Sequence, residues 1–327
     1  MTVECKKCIN NTNNPSIVIN DDGICNICES YVANFNKAAL DEELLFLKSF
    51  IANKKYDAMV GLSSGKDSSA TLYTMKKLGF TPLAFSFDIG YTRQDMFARS
   101  KLIANNMDID HETINIKNYV GENDKKSFMR MAELYDKEEN DDLKKEFKKL
   151  YYDSRKVYST KSDVEFPFVR PCQICRKIVI KAYYAEAQKK GIQIIAVGFN
   201  EWTGLSNKSY SAIRKIQYIK SKPPIYIVHL PYLLQRNLAD VSNILKEIEW
   251  EKSSDEKFIN TGSGSCYLAR ACEYKAKCMM DFNMDTTRLS REITAGFLTK
   301  KQAKTAIHDT RKPDKSVRKV LEEAGLI

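Results

Sequence analysis

The sequence predicts an α/β fold in which a parallel sheet has helices on both faces. Short apolar runs alternate with helical patterns from about residue 41 to residue 200, as in βαβ units. These runs have the length of strands and are too short for buried helices. They span residues 57–62, 81–87, 110–116 and 192–197, and residues 225–230 are predicted to form a further strand.

Composition divides the chain into three predicted domains. Residues 1–35 hold two cysteine pairs but too few apolar residues to fold unaided, so we expect a metal to stabilise them. Residues 41–235 carry the α/β pattern, with a highly charged helical insertion at about 122–160. Residues 236–327 are predicted to form a helical C-terminal region.

Charge and hydropathy restrict the partners of the chain. Its 327 residues have a formal net charge of +10, with lysine-rich runs at 144–149 and 300–304. An anionic partner is therefore expected, and either ATP or RNA would meet that requirement. No apolar run approaches the roughly 18 residues that span a bilayer, and no signal peptide is recognisable. We therefore expect a cytoplasmic protein without a membrane partner.

A loop rich in serine and glycine connects the first predicted strand to a helix. It reads Gly61-Leu62-Ser63-Ser64-Gly65-Lys66-Asp67-Ser68-Ser69. Backbone N–H groups of a tight loop and of a helix start form an anion site, and Lys66 adds a full positive charge. The serine hydroxyls can donate to phosphate oxygens. The motif therefore predicts a phosphate site, with a capped helix after a serine-rich turn as the alternative.

The loop resembles the SGGxDS signature of PP-loop ATP pyrophosphatases, with Ser64 in the place of one glycine. The resemblance implies a HUP-like fold and an enzyme that uses Mg²⁺ and splits ATP between its α and β phosphates. It also implies that Lys66 and Asp67 are catalytic, that strand end 85–88 contacts the adenosine, and that strand end 198–201 closes over the site. The ATP-binding residues that it implies are Ser63, Ser64, Gly65, Lys66, Asp67, Ser68, Ser69, Phe85, Asp88 and Gly198.

The four N-terminal cysteines have the spacing of a zinc site. Cys5, Cys8, Cys25 and Cys28 form two CxxC knuckles, which together supply four thiolates to a tetrahedral Zn²⁺. A site closed by four protein ligands is structural. The residues around these cysteines, together with segment 291–303, resemble N-acetyl sugar amidotransferases of the PP-loop superfamily. That resemblance implies an ammonia-using enzyme with a glutaminase partner.

A second cysteine set joins the CxxC pair Cys172 and Cys175 to Cys266, which follows a glycine-rich segment. Three thiolates can hold a 4Fe–4S cluster and leave one iron open to another ligand. The arrangement resembles that of the tRNA thiolation enzymes of the PP-loop superfamily. A redox or persulfide pair and structural cysteines are the alternatives. Cys272 and Cys278 are not expected to be ligands, because neither follows a flexible glycine segment.

These motifs predict an enzyme that adenylates a carbonyl or amide oxygen with ATP and then replaces that oxygen. A sulfur donor would give a thiocarbonyl, whereas ammonia from a glutaminase would give an amine or an amidine. We favour sulfur transfer, because an ammonia-using enzyme has no chemical need for Cys172, Cys175 and Cys266. The substrate is a tRNA base or a small metabolite, and a homodimer is left open.

Overall fold

The computed structural model describes residues 2–159, 164–252, 258–259, 261, 264–308, 310 and 312–327. Its strands are β1 (Ala58–Gly61), β2 (Pro82–Asp88), β3 (His111–Asn115), β4 (Ile194–Val197), β5 (Gly204–Ser206), β6 (Ser209–Ser211), β7 (Ile213–Ile216) and β8 (Ile225–His229). Its helices are α1 (Asn26–Asn34), α2 (Lys37–Lys48), α3 (Lys66–Lys77), α4 (Asp95–Asn105), α5 (Glu122–Asp136), α6 (Asp141–Ser159), α7 (Pro171–Lys190), α8 (Leu230–Leu233), α9 (Leu238–Glu247), α10 (Tyr267–Met280), α11 (Thr286–Thr294), α12 (Lys300–His308) and α13 (Val317–Glu323).

Within the described residues, six strands form one sheet in the order β3-β2-β1-β4-β8-β7. Neighbours from β3 to β8 pair in parallel, and β7 is an antiparallel edge strand beside β8. The predicted α/β fold is therefore confirmed, and each predicted strand overlaps an observed one. The sequence analysis missed β7 and the hairpin β5–β6, because these short strands mix polar with apolar residues and leave no apolar run.

Both faces of the parallel sheet are buried under helices. Val60, Ala84 and Ala196 point to the face that α2, α3 and α4 cover. Met59 and Ile195 point to the opposite face, which α7 covers. A strand that is buried on both faces is apolar at successive positions, so these strands were recognisable as continuous apolar runs.

The charged insertion predicted at about 122–160 forms α5 and α6, which pack against α10 and α13. Phe128 and Phe147 are fully buried in the apolar core that these helices share with the C-terminal region. Among the helices described by the structure, none combines the length and the apolar character needed to cross a membrane.

The order of the strands creates a crevice at the end of β1. From β1 the chain continues through β2 to β3 on one side, while β4 lies on the other side. Open α/β sheets bind ligands where the strand order reverses in this way, at the carboxyl ends of the strands. Residues 62–65, between β1 and α3, lie at this position.

Candidate functional site

The loop between β1 and α3 forms a helix start that no side chain caps. Gly65 is the residue before the helix and has extended backbone. Ser68 and Ser69 donate their hydroxyl hydrogens to the Gly65 carbonyl at 2.9 and 3.0 Å, which stabilises the turn. Ser63 carries the exposed hydroxyl of the loop. The first N–H groups of α3 are therefore oriented as in an anion site.

Ser64 has a left-handed backbone with φ of +55°, a conformation that glycine adopts at lower cost. Its side chain is buried, so its hydroxyl does not face the crevice. Trp250, which follows α9, donates its indole N–H to the Ser64 carbonyl at 3.0 Å. A tertiary hydrogen bond thus supports the turn that serine makes in the place of glycine.

Lys66 and Asp67 form an ion pair at the start of α3. Lys66 Nζ lies 2.5 Å from Asp67 Oδ2, and 11% of the lysine side chain is exposed. The other carboxylate oxygen, Asp67 Oδ1, is buried and has no hydrogen-bond partner among the described residues. A partly enclosed ammonium beside the N–H groups of a helix start can neutralise a phosphate group.

Gly198 allows the residues after β4 to approach the loop backbone. A Cβ atom at this position would lie 2.8 Å from both the Asp67 carbonyl carbon and Ser68 N. These are backbone atoms of the first turn of α3, so they cannot move without disturbing the helix start. A glycine is therefore required by packing at this strand end.

The two strand-end residues predicted to contact adenosine have different surroundings. Phe85 is buried and packs against Phe87 and Tyr183. Asp88 is half-buried, and its Oδ1 accepts the N–H of Gly90 at 2.8 Å, which closes the turn after β2. Phe85 thus belongs to the core on the α7 face of the sheet, whereas Asp88 shapes the turn after β2.

The fold brings the three cysteines of the second set together at two helix starts. Cys172 and Cys175 lie in the first turn of α7, directly after Pro171. Cys266 is the N-cap of α10, and its sulfur accepts the N–H of Ala269 at 3.3 Å. Both helices therefore present thiols at their positively polarised ends.

The segment after β2 connects these two helix starts. Thr92 forms an antiparallel bridge with Cys266, and the Tyr91 carbonyl accepts the N–H of Tyr267 at 3.0 Å. The Tyr91 hydroxyl lies 2.7 Å from the sulfur of Cys175. One short segment thus contacts the CxxC pair with a side chain and the third cysteine with its backbone.

The structure shows a contact that helps to position Cys266. The sequence analysis expected a glycine-rich segment to place this sulfur, but residues 262 and 263 of that segment lie outside the described residues. In the described part of the chain, pairing with Thr92 holds Cys266. This pairing is a tertiary contact and leaves no local pattern.

The three sulfurs lie close enough to affect one another's protonation. Burial raises the pKa of Cys175 well above its ordinary value, and Cys172 and Cys266 raise it further. Burial and the nearby Cys172 raise the pKa of Cys266 to about 12. The Cys172 side chain is exposed, yet the protein that surrounds it raises its pKa, against the opposing effect of Arg170. A bound cation would relieve the repulsion among three such thiolates.

Of the other two C-terminal cysteines, Cys272 lies within electrostatic range of Cys266 and Cys172, which raise its pKa in addition to burial. Cys272 is fully buried in the core, where it shares a hydrogen bond with Tyr135. Cys278 lines a surface cavity of about 330 Å³ with Tyr274 and Lys277. None of the predicted site residues lines this cavity.

A series of ion pairs extends from the neighbourhood of Cys172 toward the phosphate loop. Arg170 Nη2 lies 3.2 Å from Asp285 Oδ1, and Arg288 Nη2 lies 3.4 Å from Asp285 Oδ2. Arg288 also pairs with Glu292 at 2.5 Å. Arg170 and Arg288 both act electrostatically on Cys172.

Glu292 continues this series to the loop. Burial raises the pKa of its carboxyl, and Arg288 and Lys66 oppose that effect. On the same helix, Arg291 pairs with Glu201 at 2.8 Å. Sequence analysis did not identify this network, and its one signal there was the Arg291-Glu292 pair within segment 291–303.

The four N-terminal cysteines form a buried group that could hold a metal ion. Their sulfurs lie within 4.8 Å of one another, and all four side chains are fully buried. The N–H groups of Asn10 and Cys25 point at the sulfurs of Cys8 and Cys5, at 3.5 and 3.2 Å. The grouping of these cysteines, which their spacing predicted, is confirmed.

This four-cysteine group packs against the helix that carries the ion-pair network. The Cys28 sulfur lies 3.1 Å from the Thr294 hydroxyl, and Ile293 packs against the cysteines. Lys300 donates to the carbonyl of Cys5 at 2.8 Å. The group therefore contacts α11, the helix on which Arg291 pairs with Glu201 and Glu292 lies within electrostatic range of Lys66.

Comparison with known proteins gives little further information. No protein-family model and no curated protein matches the chain. Among solved structures, the chain is similar to that of NMN synthetase from Francisella tularensis, with a TM-score of 0.34 and 14% sequence identity. The match covers 86% of this chain and 100% of that one. Because so low a similarity carries no assignment, we interpret the site from its own residues.

Replacing Gly198 by alanine is expected to lower the free energy of unfolding by about 1–3 kcal/mol, because the added Cβ forces the loop backbone to shift. Urea unfolding measures the change. Gly204→Ala is the matched control, since a Cβ at Gly204 would have no neighbour within 4 Å. Equal effects of the two substitutions would contradict the close approach at Gly198.

Proposed function

We propose that this protein is an ATP-dependent sulfur transferase. It splits ATP between the α and β phosphates, adenylates a carbonyl or amide oxygen of its substrate, and replaces that oxygen with sulfur. The observation that carries this proposal is the convergence of Cys172, Cys175 and Cys266 at one end of an ion-pair series that leads toward Lys66. The phosphate site at one end of this series and the thiols at the other end would supply the two halves of such a reaction.

The loop residues carry out the first half of the proposed reaction. The substrate oxygen bonds to the α phosphorus while the bond from that phosphorus to the bridging oxygen breaks, and pyrophosphate leaves. The N–H groups at the start of α3 and the Lys66 ammonium hold the phosphates and neutralise the leaving group. Mg²⁺ fits beside Asp67, whose buried Oδ1 lacks a hydrogen-bond partner among the described residues.

The second cysteine set fits a 4Fe–4S cluster by its chemistry. Three thiols lie near one another at two helix starts, and Cys272, the next cysteine in the core, is engaged by Tyr135. When bound, such a cluster supplies an open iron at which sulfide is available to the adenylated carbon. The Tyr91 hydroxyl, next to the Cys175 sulfur, orients that thiolate and excludes water from it. Without a cluster, a persulfide that a sulfane-sulfur donor places on the exposed Cys172 would attack the adenylated carbon and expel AMP. The Cys175 thiol would then release the product by forming a disulfide with Cys172, which an external thiol reduces.

A second candidate is an amidotransferase that uses ammonia from a glutaminase partner. Segment 291–303, which resembles the sugar amidotransferases, contributes Arg291 and Glu292 to the surroundings of the phosphate loop. That placement favours a substrate-binding surface like that of the sugar amidotransferases. We rank this candidate second, because the three converging cysteines have no task in it.

For the N-terminal cysteine group we propose a structural Zn²⁺ site. Four buried thiols leave no coordination position for a substrate. Because the group contacts Thr294, metal binding there would stabilise the helix that carries Arg288 and Arg291.

The protein is expected to convert ATP to AMP and pyrophosphate when its substrate is present. Lys66→Ala should lower the rate by about 100-fold or more, because the charge on the departing pyrophosphate loses its cation. Chromatography of the nucleotide products measures both. Lys77→Ala, in the exposed last turn of the same helix, is the control and should retain the rate. ADP and phosphate as the sole products would contradict the proposal.

Protein prepared without oxygen is expected to be brown and to contain about four iron and four sulfide per chain. Alanine at Cys172, Cys175 or Cys266 should remove the colour and the product, because each thiolate holds its own iron. Cys278→Ala and Cys272→Ala should keep most of both. If the protein is colourless and fully active with ammonia or glutamine, the amidotransferase candidate replaces sulfur transfer. If it is colourless but forms the product after a donor of sulfane sulfur has placed a persulfide on Cys172 or Cys175, the clusterless route holds.

Metal analysis should find about one zinc per chain. The double substitution Cys25→Ala/Cys28→Ala is expected to remove the zinc and to lower the free energy of unfolding by several kcal/mol, because binding at such sites contributes to folding. Cys278→Ala is the control and should retain the zinc. Unchanged zinc content in the double variant would place the metal elsewhere.

A further inference from the structure

Arg170 and Arg288 lie within electrostatic range of Cys172, and Arg291 pairs with Glu201; none of the three has a task in the reaction described above. Arg170 directly precedes α7, whereas Arg288 and Arg291 lie one turn apart on α11. Their side chains are partly enclosed, with exposed fractions of 23%, 30% and 32%. They are therefore recessed, yet each can still be reached from the solvent.

Carboxylates hold all three arginines, and Arg291 keeps a donor that no carboxylate engages. Asp285 lies against Arg170 and Arg288, and Glu201 lies against one nitrogen of Arg291. A guanidinium group has five N–H donors, so the contact with Glu201 does not saturate Arg291. Arg291 Nε is a buried donor without a hydrogen-bond partner in the described part of the chain. A buried donor without a partner is costly, which indicates that an acceptor is missing at this point.

The unpaired hydrogen-bonding groups extend beyond Arg291. On the neighbouring position of α11, Ser290 is fully buried, and its hydroxyl also lacks a partner within the described residues. Asn200 Oδ1, at the end of β4, is a third such atom in that part of the chain. Three buried polar atoms, two on α11 and one after β4, thus lack a hydrogen-bond partner within the described residues.

We propose that Arg170, Arg288 and Arg291 form a subsite for the acidic group of a small substrate, a carboxylate or a phosphate. The assignment rests on the proposed function and deepens it, because an adenylated oxygen between Lys66 and Cys172 would place the rest of the substrate against these arginines. Planar guanidinium groups that are held in position match such anions with paired hydrogen bonds. A long polyanion such as RNA is bound by cations on exposed surfaces, so these recessed arginines favour a small molecule.

The proposed arginine subsite is tested by alkylating Cys172 with iodoacetate and with neutral iodoacetamide. Both reagents form the same bond to the thiolate sulfur and release iodide. The rate constant for iodoacetate divided by that for iodoacetamide is therefore independent of the reactivity of the thiol, and it measures how strongly the protein attracts the carboxylate. We expect this ratio in the folded, full-length, iron-free protein to exceed that of the same cysteine in urea-unfolded protein by about tenfold. Mass spectrometry of the Cys172 peptide measures both rates.

Substitutions connect the effect to the arginines. Arg288→Gln and Arg291→Gln should each reduce the ratio several-fold, whereas Arg288→Lys should keep most of it because the charge is retained. Arg318→Gln is the matched control, since Arg318 also pairs with a carboxylate but lies elsewhere, beside Asp136. If circular dichroism shows that a glutamine variant does not fold, the comparison of folded with urea-unfolded wild-type protein still tests the proposal.

Competition identifies the kind of anion. Malonate should slow the reaction of iodoacetate, whereas neutral malonamide should not. If inorganic phosphate slows this reaction and malonate does not, phosphate is the preferred group. A ratio equal to that of the unfolded chain would overturn the proposal, as would protection by transfer RNA without protection by malonate or phosphate. Since alkylation needs neither ATP nor turnover, failure here leaves the AMP-forming activity to its own test, and loss of that activity does not affect this one.

Discussion

The contact between Gly198 and the backbone of the phosphate loop is the constraint on which the site depends. Only a hydrogen atom fits between the end of β4 and the peptide that joins Asp67 to Ser68. This approach places the residues after β4 beside α11, where Glu201 meets Arg291. Because packed interiors transmit small displacements, a change at Gly198 would alter both the loop and the position of Arg291.

Helix α11 is the element at which distant parts of the chain meet. Thr294 contacts the N-terminal cysteine group, Glu292 lies within electrostatic range of the phosphate loop, and Arg288 shares Asp285 with the start of α7. Partly exposed ion pairs each add about 1 kcal/mol or less to stability. Their main effect here is to hold the guanidinium groups in fixed orientations.

The two cysteine sets are assembled by different means. The N-terminal group is formed within one short segment, where backbone N–H groups at Asn10 and Cys25 point at the sulfurs. The second set depends on the segment after β2, because Tyr91 and Thr92 connect the starts of two helices that are far apart in the chain. A change in the β2 end would therefore disturb the second set and leave the first intact.

By itself, the sequence determined the α/β class, the strands of the parallel sheet, the loop between β1 and α3, and the grouping of the N-terminal cysteines. These features were accessible because apolar periodicity and close spacing along the chain are local properties. Only the tertiary structure decided that Trp250 supports Ser64, that Thr92 holds Cys266, and that Arg288 lies within electrostatic range of Cys172. It also decided the edge strand β7, which has no apolar run of its own. Apart from β7, which pairs with the nearby β8, these partners are distant in sequence, so their contact follows from how the elements pack on the sheet, and no local pattern encodes that packing.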